Sequence, residues 1–221
     1  MKRKISRFGG LILTLFLIFT FLSCSGTEPE IVFGFIELVY YSGEDNNIRE
    51  RYSFFIIPED DDGIENLMEL YLYNDREALR WLITSDDWIQ YEEDGITWIG
   101  TRSISMFDSS PLPRGLYRAV LVNRGGESTE RRFTFDGPIT PVHPFPSLTI
   151  DDGNYYIQSQ YPVNHFVGYD LQGRIVQTMT VTAHEGTIWN LRLSSSVRSV
   201  ALWAENPELH VSAFTEAVTV R

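Results

Sequence analysis

Hydrophobic positions along this chain fall in short bursts separated by small and charged residues, a spacing that favours strands over helices. Over residues 31–41 both alternating sets are largely apolar, the pattern of a strand buried on two faces or lying at a sheet centre. Residues 42–47 read as a turn. A returning strand over 51–57 then stops at Pro58 and the acidic run Asp60-Asp61-Asp62-Gly63. Residues 64–83 fit two periods. Ile64, Leu67, Met68 and Tyr71 match a helical face, whereas Met68, Leu70 and Leu72 match one face of a strand. Asn74-Asp75 interrupts the run, so two short strands over 67–73 and 78–84 are expected, with a helix as the alternative. A further strand is expected over 97–105. The clearest hairpin is 115–135: residues 116–122 are apolar on both faces, and Arg124-Gly125-Gly126-Glu127 supplies residues able to take positive φ. The return alternates Phe133 and Phe135 with Arg132 and Thr134, one dry face and one wet.

Gly137-Pro138, Pro141, Pro144 and Pro146 break the pattern, since proline removes backbone donors and stiffens the path. Beyond them Asp170-Leu171-Gln172-Gly173-Arg174 reads as a turn between strands at 166–169 and 175–182, and two more strands are expected at 197–204 and 211–220. The expected fold class is all-β: two small β-sandwich domains, 31–136 and 145–221, joined by a Pro-rich linker over 137–144. The first half resembles immunoglobulin-like and fibronectin-III-like sandwiches. In that resemblance 115–135 supplies the last two strands, and Tyr117 is the tyrosine near the start of the penultimate one. The Asp-x-x-Gly-Arg turn resembles those of small bacterial immunoglobulin-like modules.

The first residues obey a different logic. Lys2, Arg3, Lys4 and Arg7 form a basic head, and 11–22 is an apolar run interrupted only by Thr14 and Thr20. A basic head, a short apolar core and small residues beyond it make a secretory signal, and the run is too short for the ~20 residues of a membrane-spanning helix. Cys24 is the only cysteine, so no intramolecular disulfide can form. Phe21-Leu22-Ser23-Cys24 resembles the lipobox of bacterial lipoproteins in a relaxed form: Ser23 and Cys24 fit, while Phe21 and Leu22 depart from the usual aliphatic and small residues. The resemblance implies a signal peptide over 1–23, acylation of Cys24, and a short tether over 24–30. It places the protein on a membrane of the bacterial cell envelope through its acyl anchor, with Ser25 in place of Asp mildly favouring the outer membrane.

Charge narrows the partners. The chain carries 18 basic and 30 acidic residues, and four of the basic ones precede Cys24, so about −16 remains after processing. The retained basic residues are all arginine. Nucleic acid is a poor partner for such a surface, because phosphate binding rests on clustered Lys and Arg. The acidic loops at 60–63, 92–95 and 151–153 have calcium-like composition but not the ligand spacing of an EF-hand. His143, His165, His184 and His210 are scattered, with no pair at the i, i+4 spacing of a zinc protease. There is no Gly-x-Ser-x-Gly elbow and no phosphate or dinucleotide loop. No cofactor, metal site or catalytic residue is therefore expected. The functional expectation is a non-catalytic module contacting an envelope protein. Carbohydrate binding is the alternative and an envelope enzyme the third reading. Trp88 and Trp98, beside acidic loops, are the candidate ligand contacts, whereas Trp81 among Leu79, Leu82 and Ile83 is expected in the core.

Overall fold

The computed structural model describes residues 27–42 and 47–220. The signal segment and Cys24 lie outside the described residues. Strands of the first half are β1 (Glu30–Ser42), β2 (Ile48–Glu59), β3 (Leu67–Asn74), β4 (Leu79–Thr84), β5 (Ile89–Glu93), β6 (Ile96–Ile104), β7 (Gly115–Asn123) and β8 (Ser128–Phe135). The second half contributes β9 (Ser147–Asp151), β10 (Asn154–Gln158), β11 (Val163–Tyr169), β12 (Ile175–Thr180), β13 (Glu185–Thr187), β14 (Ser199–Asn206), β15 (Val211–Phe214) and β16 (Val218–Thr219). The ambiguous stretch is a strand pair, β3 and β4, as the interruption at Asn74-Asp75 favours.

Three sheets result. Nine strands form one sheet in the order β12-β11-β14-β15-β1-β2-β6-β5, with β16 alongside β14. Two small sheets, β4-β3-β7-β8 and β13-β10-β9, cover its inner face. The protein is thus an all-β sandwich in which both halves share the larger layer. The join is a parallel pairing of β1 with β15, Leu38 to Tyr41 against Val211 to Phe214. Ladder partners share a face, so Leu38 with Val211 and Tyr40 with Ala213 all point inward, where they are buried. Leu70, Leu72, Tyr117 and Leu121 meet them from one small sheet, and Tyr155 and Ile157 from the other. The apolar doubling of 31–41 follows from this position, because β1 lies in the middle of the widest sheet with β2 and β15 on either side.

Turn chemistry explains the acidic loops. Asp94-Gly95 and Asp152-Gly153 both have positive φ (53°, 76° and 46°, 75°) and close the β5–β6 and β9–β10 hairpins as two-residue turns. Asp60 accepts from the Asp62 backbone N–H at 2.8 Å and from Asn66 Nδ2 at 3.2 Å, so its carboxylate holds its own loop together. Among the described residues no three His, Cys, Asp or Glu side chains converge as a metal site.

The first half carries the tyrosine corner that Tyr117 signals. Its hydroxyl donates to the carbonyl of Pro113, four residues upstream, and Tyr52 donates to the same oxygen at 2.8 Å. Beside them Arg114 forms a bidentate pair with Glu50 at 2.9 and 3.0 Å, both side chains nearly dry. The same guanidinium donates to the carbonyls of Gly137 and Pro138, so it ties the Pro-rich segment to the first half. β9, β10 and β13 were not expected from the sequence. They are only three to five residues long, too short to carry a periodic signal. The expected strand over 211–220 is divided into β15 and β16.

Candidate binding groove on the outer sheet face

The outer face of the nine-stranded sheet is crossed by a groove of about 640 Å³. It is within the range of ligand pockets. Strand alternation sets its lining: residues pointing away from the core are Phe35, Glu37 and Val39 on β1, Arg51, Ser53 and Phe55 on β2, and Tyr91 on β5 with Arg102 on β6. Across the join, Ser212 and Phe214 on β15, Trp203 on β14 and Tyr169 on β11 continue the same face. One ladder row runs from Thr180 through His165, Trp203 and Phe214 to Tyr41, and therefore crosses both halves. Neither half has this groove alone.

At one end the aromatic rings pack on one another. Trp98 lies parallel to Tyr91 at 6.2 Å and meets Phe35 and Phe33 edge-on at 5.5 and 6.0 Å. Tyr91 in turn meets Phe55 edge-on at 5.3 Å. Gly100, between Trp98 and Arg102 on β6, permits this packing, since a Cβ there would strike the Phe54 carbonyl and the Phe55 ring.

Charge is distributed unevenly along the floor. Burial pushes the Glu37 carboxyl up, Glu205 adds to the rise, and the Ser212 hydroxyl and Arg102 partly offset it. Arg51 lies over the Tyr41 ring at 5.2 Å, and its Nε is buried without a hydrogen-bond partner. Burial pulls its guanidinium down, and Arg102 nearby adds to the fall. Tyr41 and Tyr169 act on it in the opposite direction, and burial raises the Tyr169 pKa. Arg102 lies over Phe55 at 5.8 Å and is exposed at the rim. Among the described residues neither arginine forms an ion pair.

His165 bonds Glu205 through Nε2 at 3.1 Å and Thr180 through Nδ1 at 3.2 Å, and its ring covers Trp203 at 4.9 Å. Hydroxyl, imidazole and carboxylate thus stand in the order of an acyl-transfer relay. They do so at the end of the edge strand β12. The contacts are those of cross-strand neighbours, Thr180 opposite His165 and His165 opposite Trp203.

The two tryptophans singled out in the sequence are separated. Trp98 belongs to the aromatic end of the outer face, whereas Trp88 packs against the core, as does Trp81, whose Nε1 donates to the Ser105 carbonyl at 3.0 Å. The sequence reading missed Arg51, Arg102, Glu37 and Trp203. Glu37 carried a signal, a lone charge between Ile36 and Leu38 in a strand apolar on both faces. Trp189, also missed, is 84% exposed outside the groove.

No family model matches the chain, and no curated protein matches it. Among solved structures, dimeric latent PorU from Porphyromonas gingivalis is similar at 16% identity and a TM-score of 0.35, over 88% of this chain. The chain spans 20% of that PorU chain. Murine CEACAM1b is similar at 11% identity and a TM-score of 0.26, over 85% of this chain and 99% of its own. Dpr11 IG1 bound to DIP-gamma is similar at 12% identity and a TM-score of 0.25, over 86% of this chain and 100% of that one.

Proposed function

We propose that this protein is a lipid-anchored, non-catalytic binding module of the bacterial envelope that presents the outer face of its large sheet to a partner protein. The observation that carries this reading is the groove itself, built jointly by both halves and lined by aromatic rings and by two arginines that form no ion pair among the described residues. Anchoring through Cys24 rests on the lipobox resemblance. Thr27 is held to the folded body, its carbonyl accepting from Asn123 Nδ2 at 2.9 Å. Cys24 stands three residues before Thr27, a reach of at most about 10 Å. Acyl chains contribute ~0.8 kcal/mol per buried methylene, so several on one cysteine hold firmly.

The test is photocrosslinking in intact cells from a probe placed at Ile175 on the groove rim, with Cys24→Ser as companion. A reproducible protein adduct and release of Cys24→Ser from the membrane fraction are expected. Absence of any adduct, together with turnover of an envelope substrate by the purified protein, overturns the reading.

Carbohydrate binding draws on a different feature, the open ring of Trp189. Stacking on a sugar needs a free aromatic face. On the outer sheet face, Trp98 packs beside Tyr91 and Trp203 beside His165. Glycan-array binding abolished by Trp189→Ala would favour this second reading; array silence removes it.

A further inference from the structure

Resting on the reading of the outer sheet face as the binding surface, we infer that Arg51 and Arg102 form a carboxylate-binding subsite that holds an acidic peptide segment of the partner. Both guanidinium groups face one groove, and among the described residues neither is neutralised by an ion pair. Arg51 is the informative one. Its Nε is buried and bonds nothing, and the ring of Tyr41 beneath it supplies only a cation–π contact. The fold thus partly desolvates a positive charge, and among the described residues no carboxylate pairs with it. Buried charges are ordinarily paired, because an unpaired one is costly. A guanidinium held over a ring by a cation–π contact still has N–H groups to offer, and its planar fork can make two parallel bonds to a carboxylate.

The remaining lining defines the rest of the ligand. Tyr169, Trp203 and Phe214 lie across the β1–β15 join and offer apolar contact to neighbouring side chains of a peptide. Glu37 also lines the groove, its carboxyl pushed up by burial and partly offset by the Ser212 hydroxyl. Glu93, the other carboxylate on the β1–β2–β5 side, is exposed at the rim. Glu205 is engaged by His165. An acidic polysaccharide also carries carboxylates, but it brings no side chains to fill the apolar contacts of Tyr169, Trp203 and Phe214.

The experiment titrates full-length protein in detergent micelles with a fluorescein-labelled octapeptide alternating Glu and Phe. The matching Gln-Phe peptide and an oligogalacturonate serve as competitors. Saturable binding of the Glu peptide is expected, with the Gln peptide weaker by roughly tenfold or more, the measure of a charge-assisted bond pair. Arg51→Met and Arg102→Met each weaken the Glu peptide, and the double variant binds both peptides alike. Arg51→Met also melts at a higher temperature, because an unbalanced buried charge is gone. No saturable binding, equal affinity for the two peptides in the wild type, or preference for oligogalacturonate overturns the inference. So does a lowered melting temperature of Arg51→Met, which would show that the fold itself uses the cation. Thr178→Trp, at the exposed rim, separates the two levels. If it abolishes the in-cell adduct while the arginine variants keep full peptide affinity, the sheet face stands as the interface and the carboxylate subsite falls. An adduct unaffected by Thr178→Trp sinks the interface reading.

Discussion

Individual residues reveal where this fold accepts a cost. Glu37 stands among apolar neighbours on the central strand, and burial raises its pKa above the usual 4.5. The folded state therefore binds its proton more tightly than the unfolded chain does. The neutral acid carries no penalty below about pH 4.5, and stability is lost as pH rises from there through the folded value. Glu37→Gln, which keeps a hydrogen-bonding group toward Ser212, is expected to raise the melting temperature at pH 7. The gain should shrink toward pH 4.5, and melting curves of both proteins across that range check it. Tyr117 is the opposite case, a fully buried hydroxyl with a partner. Because Tyr52 also donates to Pro113, Tyr117→Phe strands no acceptor, and a loss of about 1 kcal/mol in denaturant titration is expected.

At the level of elements, turns and ties have separate origins. The Asp-Gly turns after β5 and β9 are local devices, set by two residues that tolerate positive φ. The same chemistry governs Asp170-x-x-Gly173, where the Asp170 carboxylate accepts from the N–H groups of Gln172 and Arg174 at 2.9 Å. The tie between the first half and the Pro-rich segment is different, since it depends on one nearly dry ion pair. Arg114→Met would leave Glu50 buried without its cation and free the carbonyls of Gly137 and Pro138. Removing one partner of such a pair costs about 3–5 kcal/mol, measurable as a shift in urea midpoint. A shift near zero would show that water replaces the guanidinium.

Across the whole molecule, the decisive contact is the parallel seam between the first long strand and a short strand near the end of the chain. Ala213 and Leu38 on its inner side are fully buried, and the core runs on beneath it. Two sandwiches that share a sheet and a core lose their packing together. Calorimetry is expected to show a single cooperative transition with matching calorimetric and van't Hoff enthalpies. Two resolved transitions would mean that the seam contributes little beyond tethering.

The all-β class, the tyrosine corner, the Asp170-x-x-Gly173 turn and the central place of residues 31–41 were legible in the sequence. Each is a local matter of period two, positive φ or a fixed offset along the chain. The groove was not, although its residues were in plain view. Trp98 was noticed because it sits beside an acidic loop, while Arg51, Arg102 and Trp203 looked like ordinary members of alternating strands. Their meeting depends on which strand neighbours which, and on a register between strands from opposite ends of the chain. Alternation places a side chain on a face; only tertiary pairing of β1 with β15 decides what shares that face.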